Sequence, residues 1–388
     1  MDVSIFKNLE YRYPTVFDLK KKARKRLPHF SCAYLETGTG DEQALARNLE
    51  SMANVTLIPQ FLKGDLKPDI STVLFGQKYA SPFGIAPVGL TGLIWPRADQ
   101  ILARTAKKYQ IPCCLSTMGS ETPETIGPLI GDMGWFQLYP PRDKEIRDDL
   151  LQRVKSSGFK TLIVTVDAPV LSRHERMMRA GIKTPPVITP SFVFQSLTHP
   201  RWTLATLKAG FPTLKTVVKY AGATDMKKLV EFVDLNIRGG ALSWEYLQDV
   251  RDQWDGPLVL KGILHPDDVK KAIRTGVDGV IVSNHGARQF NGAPAAIDVL
   301  PSIVEKFRGK IAILFDSGVY SGLDILRAIA LGADFVFLGR AFMYAVAALG
   351  DIGSDHVANI LIDDLKNNMV QLGVSTIEEA KQRGREHY

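Results

Sequence analysis

Cysteine is scarce in this chain: Cys32, Cys113 and Cys114 are the only three in 388 residues. Three cannot build a disulfide framework, and their spacing matches no zinc, iron–sulfur or haem-attachment pattern. They are expected to be reduced and buried, with no metal site. Long apolar runs are also missing; none approaches the roughly 20 residues that a bilayer-spanning helix needs. The first residues, Met1-Asp-Val-Ser-Ile-Phe-Lys7, lack the basic-then-apolar layout of a signal peptide, so a cytoplasmic protein is expected. No Gly-x-Gly-x-x-Gly opens a helix after a strand, which disfavours a nicotinamide dinucleotide. From Met177 to Thr224 there is no acidic residue.

What is present is ordinary in bulk and uneven in detail. Apolar residues make up 45% and charged ones 23%, as in a globular protein with one large or two ordinary α/β domains. The net charge of +7 is concentrated in Lys20-Lys-Lys-Ala-Arg-Lys-Arg26. That run reads as a solvated helix face ending before Pro28. Without aromatic interleaving or a nucleic-acid motif, no nucleic-acid partner is expected.

After about residue 80 a rhythm sets in. Short apolar runs at Phe83–Pro87, Cys113–Thr117, Trp135–Tyr139, Thr161–Val166, Leu258–Gly262, Gly279–Ser283, Ile311–Asp316 and Phe335–Gly339 read as buried parallel strands. Amphipathic stretches such as Lys144–Gly158, Asp267–Gly276, Ala295–Gly309 and Gly322–Gly332 lie between them. Eight alternations predict a (β/α)8 TIM barrel; an open doubly wound sheet competes but gives no reason for eight strands. A single unit over 1–388 is expected, with a helical accessory segment at 1–80 and the barrel at 81–350. Helices over 351–388 would cover the barrel bottom or side. The connection after the fourth strand is roughly ninety residues long, far beyond an ordinary loop. Within this insertion, about 170–256, Arg179, Lys183, Arg201, Lys208, Lys215 and Lys219 alternate with Phe192, Phe194, Leu197, Trp202, Leu204, Leu207 and Phe211. Such a segment can lie peripherally on an anionic membrane through about 177–224, close over the active site, or contact another subunit.

Barrel enzymes carry their chemistry at the C-terminal ends of the strands. The unusual residues fall there: Pro87-Val88-Gly89, Ser116, Gln137 with Tyr139, Thr165 with Asp167, Lys261, Ser283 with His285, and Gly339-Arg340. In Ser283-Asn-His-Gly-Ala-Arg288 an imidazole that can take a proton stands near a guanidinium that can grip a carboxylate. Asp316-Ser317-Gly318 and Gly339-Arg340 occupy the loops where barrels commonly bind phosphate. A phosphate-bearing cofactor follows, and flavin mononucleotide (FMN) fits: Gln137 and Thr165 can bond the ring edge, and Lys261 can stabilise negative charge on it.

On these motifs the chain resembles the FMN-dependent α-hydroxy acid oxidases and dehydrogenases, from about Phe17 to the C-terminus. Ser283-Asn-His-Gly-Ala-Arg-Gln289 is the most specific match. Leu27-Pro28 leading to Tyr34, Ile85-Ala-Pro-Val-Gly-Leu90, Phe136-Gln-Leu-Tyr139, Thr165-Val-Asp167 and Val259-Leu-Lys-Gly262 support it. Leu242-Ser-Trp244, Trp254-Asp-Gly-Pro257 and Asp316-Ser-Gly318 are most similar to the quinone-linked, membrane-associated L-lactate dehydrogenases. The resemblance implies that His285 is the active-site base and Asp167 its charge partner. It implies that Arg288, with Tyr34 and Tyr139, holds the substrate carboxylate, and that the assembly is a homotetramer. Gly89, where the family's oxidases usually carry Ala, leans towards a dehydrogenase that passes electrons to an external acceptor such as a quinone. The expected reaction is oxidation of an L-2-hydroxy acid, L-lactate first, to the keto acid, with hydride and carbanion routes both open. A larger hydroxy acid, a modified peptide end, or O2 as oxidant remain alternatives. So does a non-catalytic flavin-binding relative.

Two positions depart from the family pattern. His174 stands where an arginine near the base and substrate is usual, so His174 is expected in the substrate pocket. Tyr320 stands where a phosphate-binding arginine is usual, so FMN is expected to bind less tightly.

Overall fold

Runs of aliphatic and aromatic residues buried on both faces build the centre of the molecule, as a parallel sheet covered by helices requires. The computed structural model describes residues 3–170, 172–182, 188–237 and 242–385. Two short strands, β1 (Thr72–Leu74) and β2 (Gln77–Tyr79), precede eight parallel ones. These are β3 (Phe83–Ile85), β4 (Cys113–Ser116), β5 (Gly134–Leu138), β6 (Thr161–Thr165), β7 (Leu258–Ile263), β8 (Gly279–Val282), β9 (Ala312–Phe315) and β10 (Phe335–Leu338). Each pairs with the next, and β10 returns to β3 through Val336–Phe83 and Leu338–Ile85. The sheet is a closed (β/α)8 barrel, and closure excludes the open doubly wound alternative.

The bottom of the barrel is closed by a hairpin that the apolar runs did not mark. β1 and β2 form an antiparallel hairpin around Phe75 and Gly76, both at positive φ, which suits the twist of a two-residue turn. Phe75 packs on Trp135 (ring centroids 5.9 Å apart), and Trp135 donates its indole N–H to the Tyr79 hydroxyl at 3.1 Å. Gly279 has no room for a side chain because a Cβ there would lie 2.9 Å from Phe75. The hairpin is therefore the plug. The C-terminal helix Asp351–Leu372 lies on the side of the barrel, one of the two placements expected: a Cβ on Gly322 would come within 2.2 Å of the Leu365 backbone, and one on Gly353 within 2.0 Å of the Ala345 carbonyl.

The basic run is a solvated helix face, with Lys21, Arg24 and Lys25 exposed, and some of its cations also find partners. Helix Val16–Arg26 is capped by Thr15 and lies against helix Arg340–Leu349. Arg24 forms two hydrogen bonds of 2.7 Å with Glu36. Arg26 stacks 3.9 Å above the Trp95 ring and donates to the Ala348 carbonyl. Cys113 and Cys114 are buried and free, whereas Cys32 is half-buried.

The connection between β6 and β7 folds into short helices: Glu175–Arg179, Pro190–Leu197, Pro200–Ala209, Lys215–Ala221 and Met226–Asn236. A further helix, Trp244–Gln253, leads into β7 in the manner of the barrel's own helices. The insertion is anchored over the barrel rim. Phe30 stacks on Phe192 at 4.5 Å and meets the edge of Trp202, whose N–H donates to the Leu93 carbonyl. A second apolar cluster, including Leu214, Val217, Leu229 and Val233, packs against Met118, Leu90 and Tyr139 of the rim. Phe194, Leu197, Leu204, Leu207 and Phe211 remain exposed. Lys183 lies outside the described residues.

Candidate active site

The loop after β8 carries the base. His285, Gly286 and Ala287 all have positive φ (58°, 59° and 63°), a conformation non-glycine residues adopt only when their surroundings enforce it. The enforcement is visible. The Ser317 hydroxyl accepts from the N–H groups of Asn284 and Gly286, at 3.3 and 3.0 Å. Asn284 and Asn48 exchange amide hydrogen bonds of 2.6 and 2.9 Å. The Ala287 carbonyl accepts from Thr39 N–H at 3.0 Å.

So held, the His285 ring reaches Asp167 and Tyr139. Nδ1 lies 2.8 Å from Asp167 Oδ1. Burial opposes ionisation of Asp167, but the attraction of His285 and Lys261 outweighs it and holds the carboxyl below its ordinary value. An ionised carboxylate only accepts, so Nδ1 carries a proton, and in the neutral tautomer Nε2 is the nitrogen that holds the lone pair. The Tyr139 hydroxyl lies 3.3 Å from that nitrogen. Burial, with the Asp167 charge, pushes the Tyr139 pKa up to about 12, so it remains a donor at neutral pH. Gly262, at φ 104°, makes room behind Asp167; a Cβ there would lie 2.4 Å from the Asp167 Cβ and Cγ.

Two guanidinium groups share a wall. Arg288 lies over the Tyr34 ring at 5.2 Å, and one of its terminal nitrogens donates to the carbonyls of Tyr34 and Thr37. Burial lowers its pKa, and it forms no ion pair with a carboxylate among the described residues. Arg340 donates to the carbonyls of Leu35, Gly286 and Thr37 at 3.1, 2.9 and 2.9 Å. Three of its five N–H groups are thereby engaged, leaving two for a ligand. The Tyr34 hydroxyl donates to the Gly89 carbonyl at 2.8 Å.

The floor of the cleft comes from the strand ends. Lys261 is 4% exposed; its ammonium lies 3.2 Å from Asp316 and donates to Ser283 at 3.1 Å. Burial disfavours that charge, but Asp316 and Asp167 outweigh it and raise the pKa. Ser283 in turn donates to Asp316 at 2.5 Å. Ser116 donates to the Gln137 carbonyl oxygen at 2.6 Å, while Gln137 Nε2 and Thr165 Oγ1 are buried without a partner among the described residues. Orphaned buried polar atoms call for a ligand. A donor amide and a hydroxyl facing one cleft beside a buried cation fit the polar edge of a flavin ring.

One cleft of about 890 Å³, part of it open to solvent, collects most of the expected residues. Tyr34, Pro87, Val88, Gly89, Ser116, Gln137, Tyr139, Thr165, Lys261, His285, Arg288, Asp316, Ser317, Gly318, Gly339 and Arg340 all line it. Asp167 and Ser283 stand behind this lining, supporting His285 and Lys261. His174 stands apart from this lining. It is not part of the cleft wall; its Nδ1 lies 2.9 Å from the Gly38 carbonyl, on the 36–41 turn. Asn48 and the carbonyls of Tyr34, Leu35 and Thr37 were not foreseen, since nothing in sequence marks a backbone acceptor.

The family model for FMN-dependent dehydrogenases matches residues 23–386. An L-lactate dehydrogenase of Vibrio parahaemolyticus is 37% identical over 364 residues, 93% of this chain and 96% of the relative. One from Ectopseudomonas mendocina is 38% identical over 366 residues, with the same coverage. Among solved structures, the monotopic membrane protein (S)-mandelate dehydrogenase superposes with a TM-score of 0.88 at 33% identity, covering 94% of this chain and 96% of that one. A mandelate oxidase gives 0.80 at 30% identity, covering 95% and 97%. A barrel with buried flavin-facing polar groups, an imidazole–carboxylate pair and a cleft guanidinium thus belongs to the FMN-dependent dehydrogenase family, a 2-hydroxy acid oxidoreductase whose cofactor is FMN.

Proposed function

We propose that the chain oxidises L-lactate to pyruvate and passes the electrons to a quinone at a membrane surface. The observation that carries the substrate class is Arg288, a cleft guanidinium without a carboxylate partner among the described residues, beside the Nε2 lone pair of His285. An anionic group in the guanidinium fork, steadied by the Tyr139 hydroxyl and by the Tyr34 hydroxyl once it turns from the Gly89 carbonyl, would set the α-carbon substituents of a small acid against the base. Bound FMN supplies a two-electron acceptor. Oxidation to the keto acid removes two electrons and two protons, and His285 Nε2 holds one of those protons. Asp167 stabilises the imidazolium that results, and the buried Lys261 ammonium would supply positive charge to the polar edge of the flavin. Whether the α-hydrogen leaves as hydride or as proton does not change these roles.

Lactate is favoured over larger acids by the names of relatives at 37–38% identity over 93% of the chain. Mandelate-type structural neighbours support a larger aromatic acid as the second reading. The two are separated by kcat/KM for L-lactate, D-lactate and (S)-mandelate with a soluble quinone. The lactate reading expects L-lactate to lead by at least about tenfold; a lead for (S)-mandelate overturns it.

The membrane reading rests on the insertion. Its exposed Phe194, Leu197, Leu204, Leu207 and Phe211 accompany Arg201 and Lys208 in a stretch without acidic residues. No helix among the described residues is long and apolar enough to cross a membrane, so the contact is peripheral. The likeness to a solved structure described as a monotopic membrane protein supports the same reading.

A further inference from the structure

The end of the cleft formed by Gly318, Val319, Tyr320, Gly339 and Arg340 faces the part of FMN that carries most charge, if the FMN assignment holds. A phosphomonoester bears roughly −1.5 to −2 at neutral pH. Arg340 is the cation lining that end, and three of its N–H groups are already engaged by carbonyls. A second cation stands just behind. The Phe17 ring stacks on Tyr320, with centroids 5.6 Å apart and planes at 29°. One helical turn later, the Lys20 ammonium lies 5.5 Å from the centre of the Tyr344 ring, and Tyr344 is itself one turn beyond Arg340.

Lys20 is half-buried, yet it makes no hydrogen bond or ion pair among the described residues. The carboxylate whose field it feels, Glu36, is held by Arg24 at 2.7 Å and by Arg176 at 3.4 Å. Burial lowers the Lys20 pKa, and the neighbouring guanidinium groups, Arg340 among them, add to the effect although Glu36 opposes it. Withdrawing an ammonium from water without a counter-ion costs free energy, which a nearby anion offsets. The Tyr320 hydroxyl is also without a partner among the described residues, in a side chain 8% exposed.

We propose that Lys20 and Tyr320 complete the phosphate-binding end of the FMN site, Lys20 supplying a second positive charge and Tyr320 a hydroxyl donor. Helix Val16–Arg26, outside the barrel, is then part of the cofactor site.

The test is a fluorescence titration of flavin-free, full-length protein with FMN and with riboflavin, which lacks the phosphate. The K20M variant is expected to bind FMN about tenfold more weakly, as for one lost charged contact, with riboflavin affinity unchanged. K20R is expected to keep most of the wild-type preference for FMN, and Y320F to lose a few-fold of it. Equal weakening towards both flavins, or no change towards either, overturns the proposal, because each would give Lys20 no dealings with the phosphate. Wild-type protein that binds neither flavin would instead refute the FMN assignment, and the proposal with it.

Discussion

Substituting Gly262 by alanine tests how the base is held without touching the base. At φ 104° the backbone suits glycine, and the added Cβ would sit 2.4 Å from the Asp167 Cβ and Cγ. That is about 1 Å short of van der Waals contact, so Asp167 must retreat by a similar distance. A displacement of that size disrupts the length and angle of its 2.8 Å bond to His285 Nδ1, whichever way the carboxylate turns. A carboxylate–imidazole contact of this kind contributes about 1.5–3 kcal/mol, so the chemical step should slow by roughly ten- to a hundredfold. The strained backbone should also cost about 1–2 kcal/mol of stability. Stopped-flow bleaching of the flavin absorbance by L-lactate reads the rate, and thermal unfolding reads the stability. A rate within about twofold of wild type would mean that the Asp167 contact does not support the base, refuting the reasoning.

Replacing Arg288 by methionine should raise KM for the hydroxy acid by roughly 100- to 1,000-fold while the bound-flavin spectrum is retained, since a bidentate carboxylate contact is lost; an unchanged KM would remove Arg288 from the substrate site. The Asp167 carboxyl titrates below its ordinary 3.8 when folded, so its ionised form stabilises the protein above that pH, and the contribution fades as pH falls through the lowered folded value. The Tm gap between wild type and D167N should therefore be widest above about pH 4 and narrow below it; a gap that grows with acid has the wrong sign. The double variant L197D/L204D should abolish sedimentation with anionic vesicles while leaving turnover with a soluble acceptor intact, and vesicle binding equal to wild type would exclude the insertion as the docking surface.

The barrel was legible because parallel strands buried on both faces must be written as apolar runs, and Gly279-Val-Ile-Val282 is one such run. The hairpin plug escaped notice. Its strands have three residues each, and Gln77-Lys-Tyr79 carries too little apolar signal to mark a strand. The site was legible where side chains carry the chemistry: a polar residue at the end of an apolar strand has few other reasons to be there. Backbone roles were not. The Tyr34–Thr37 turn that steadies Arg288 and Arg340 does so with carbonyls, which every residue has. The contact of the His174 ring with the Gly38 carbonyl was equally illegible, because its partner is again a backbone oxygen. The basic run was legible as a solvated face, but composition records the charge of Arg24 and not the Glu36 carboxylate waiting across the turn.

The most direct test is the anaerobic absorption spectrum of the FMN-saturated protein before and after L-lactate is added. Bleaching of the flavin band, with pyruvate formed in equal amount, is the predicted result. A flavin spectrum that L-lactate leaves unchanged would contradict the proposed substrate while leaving the family and its cofactor in place.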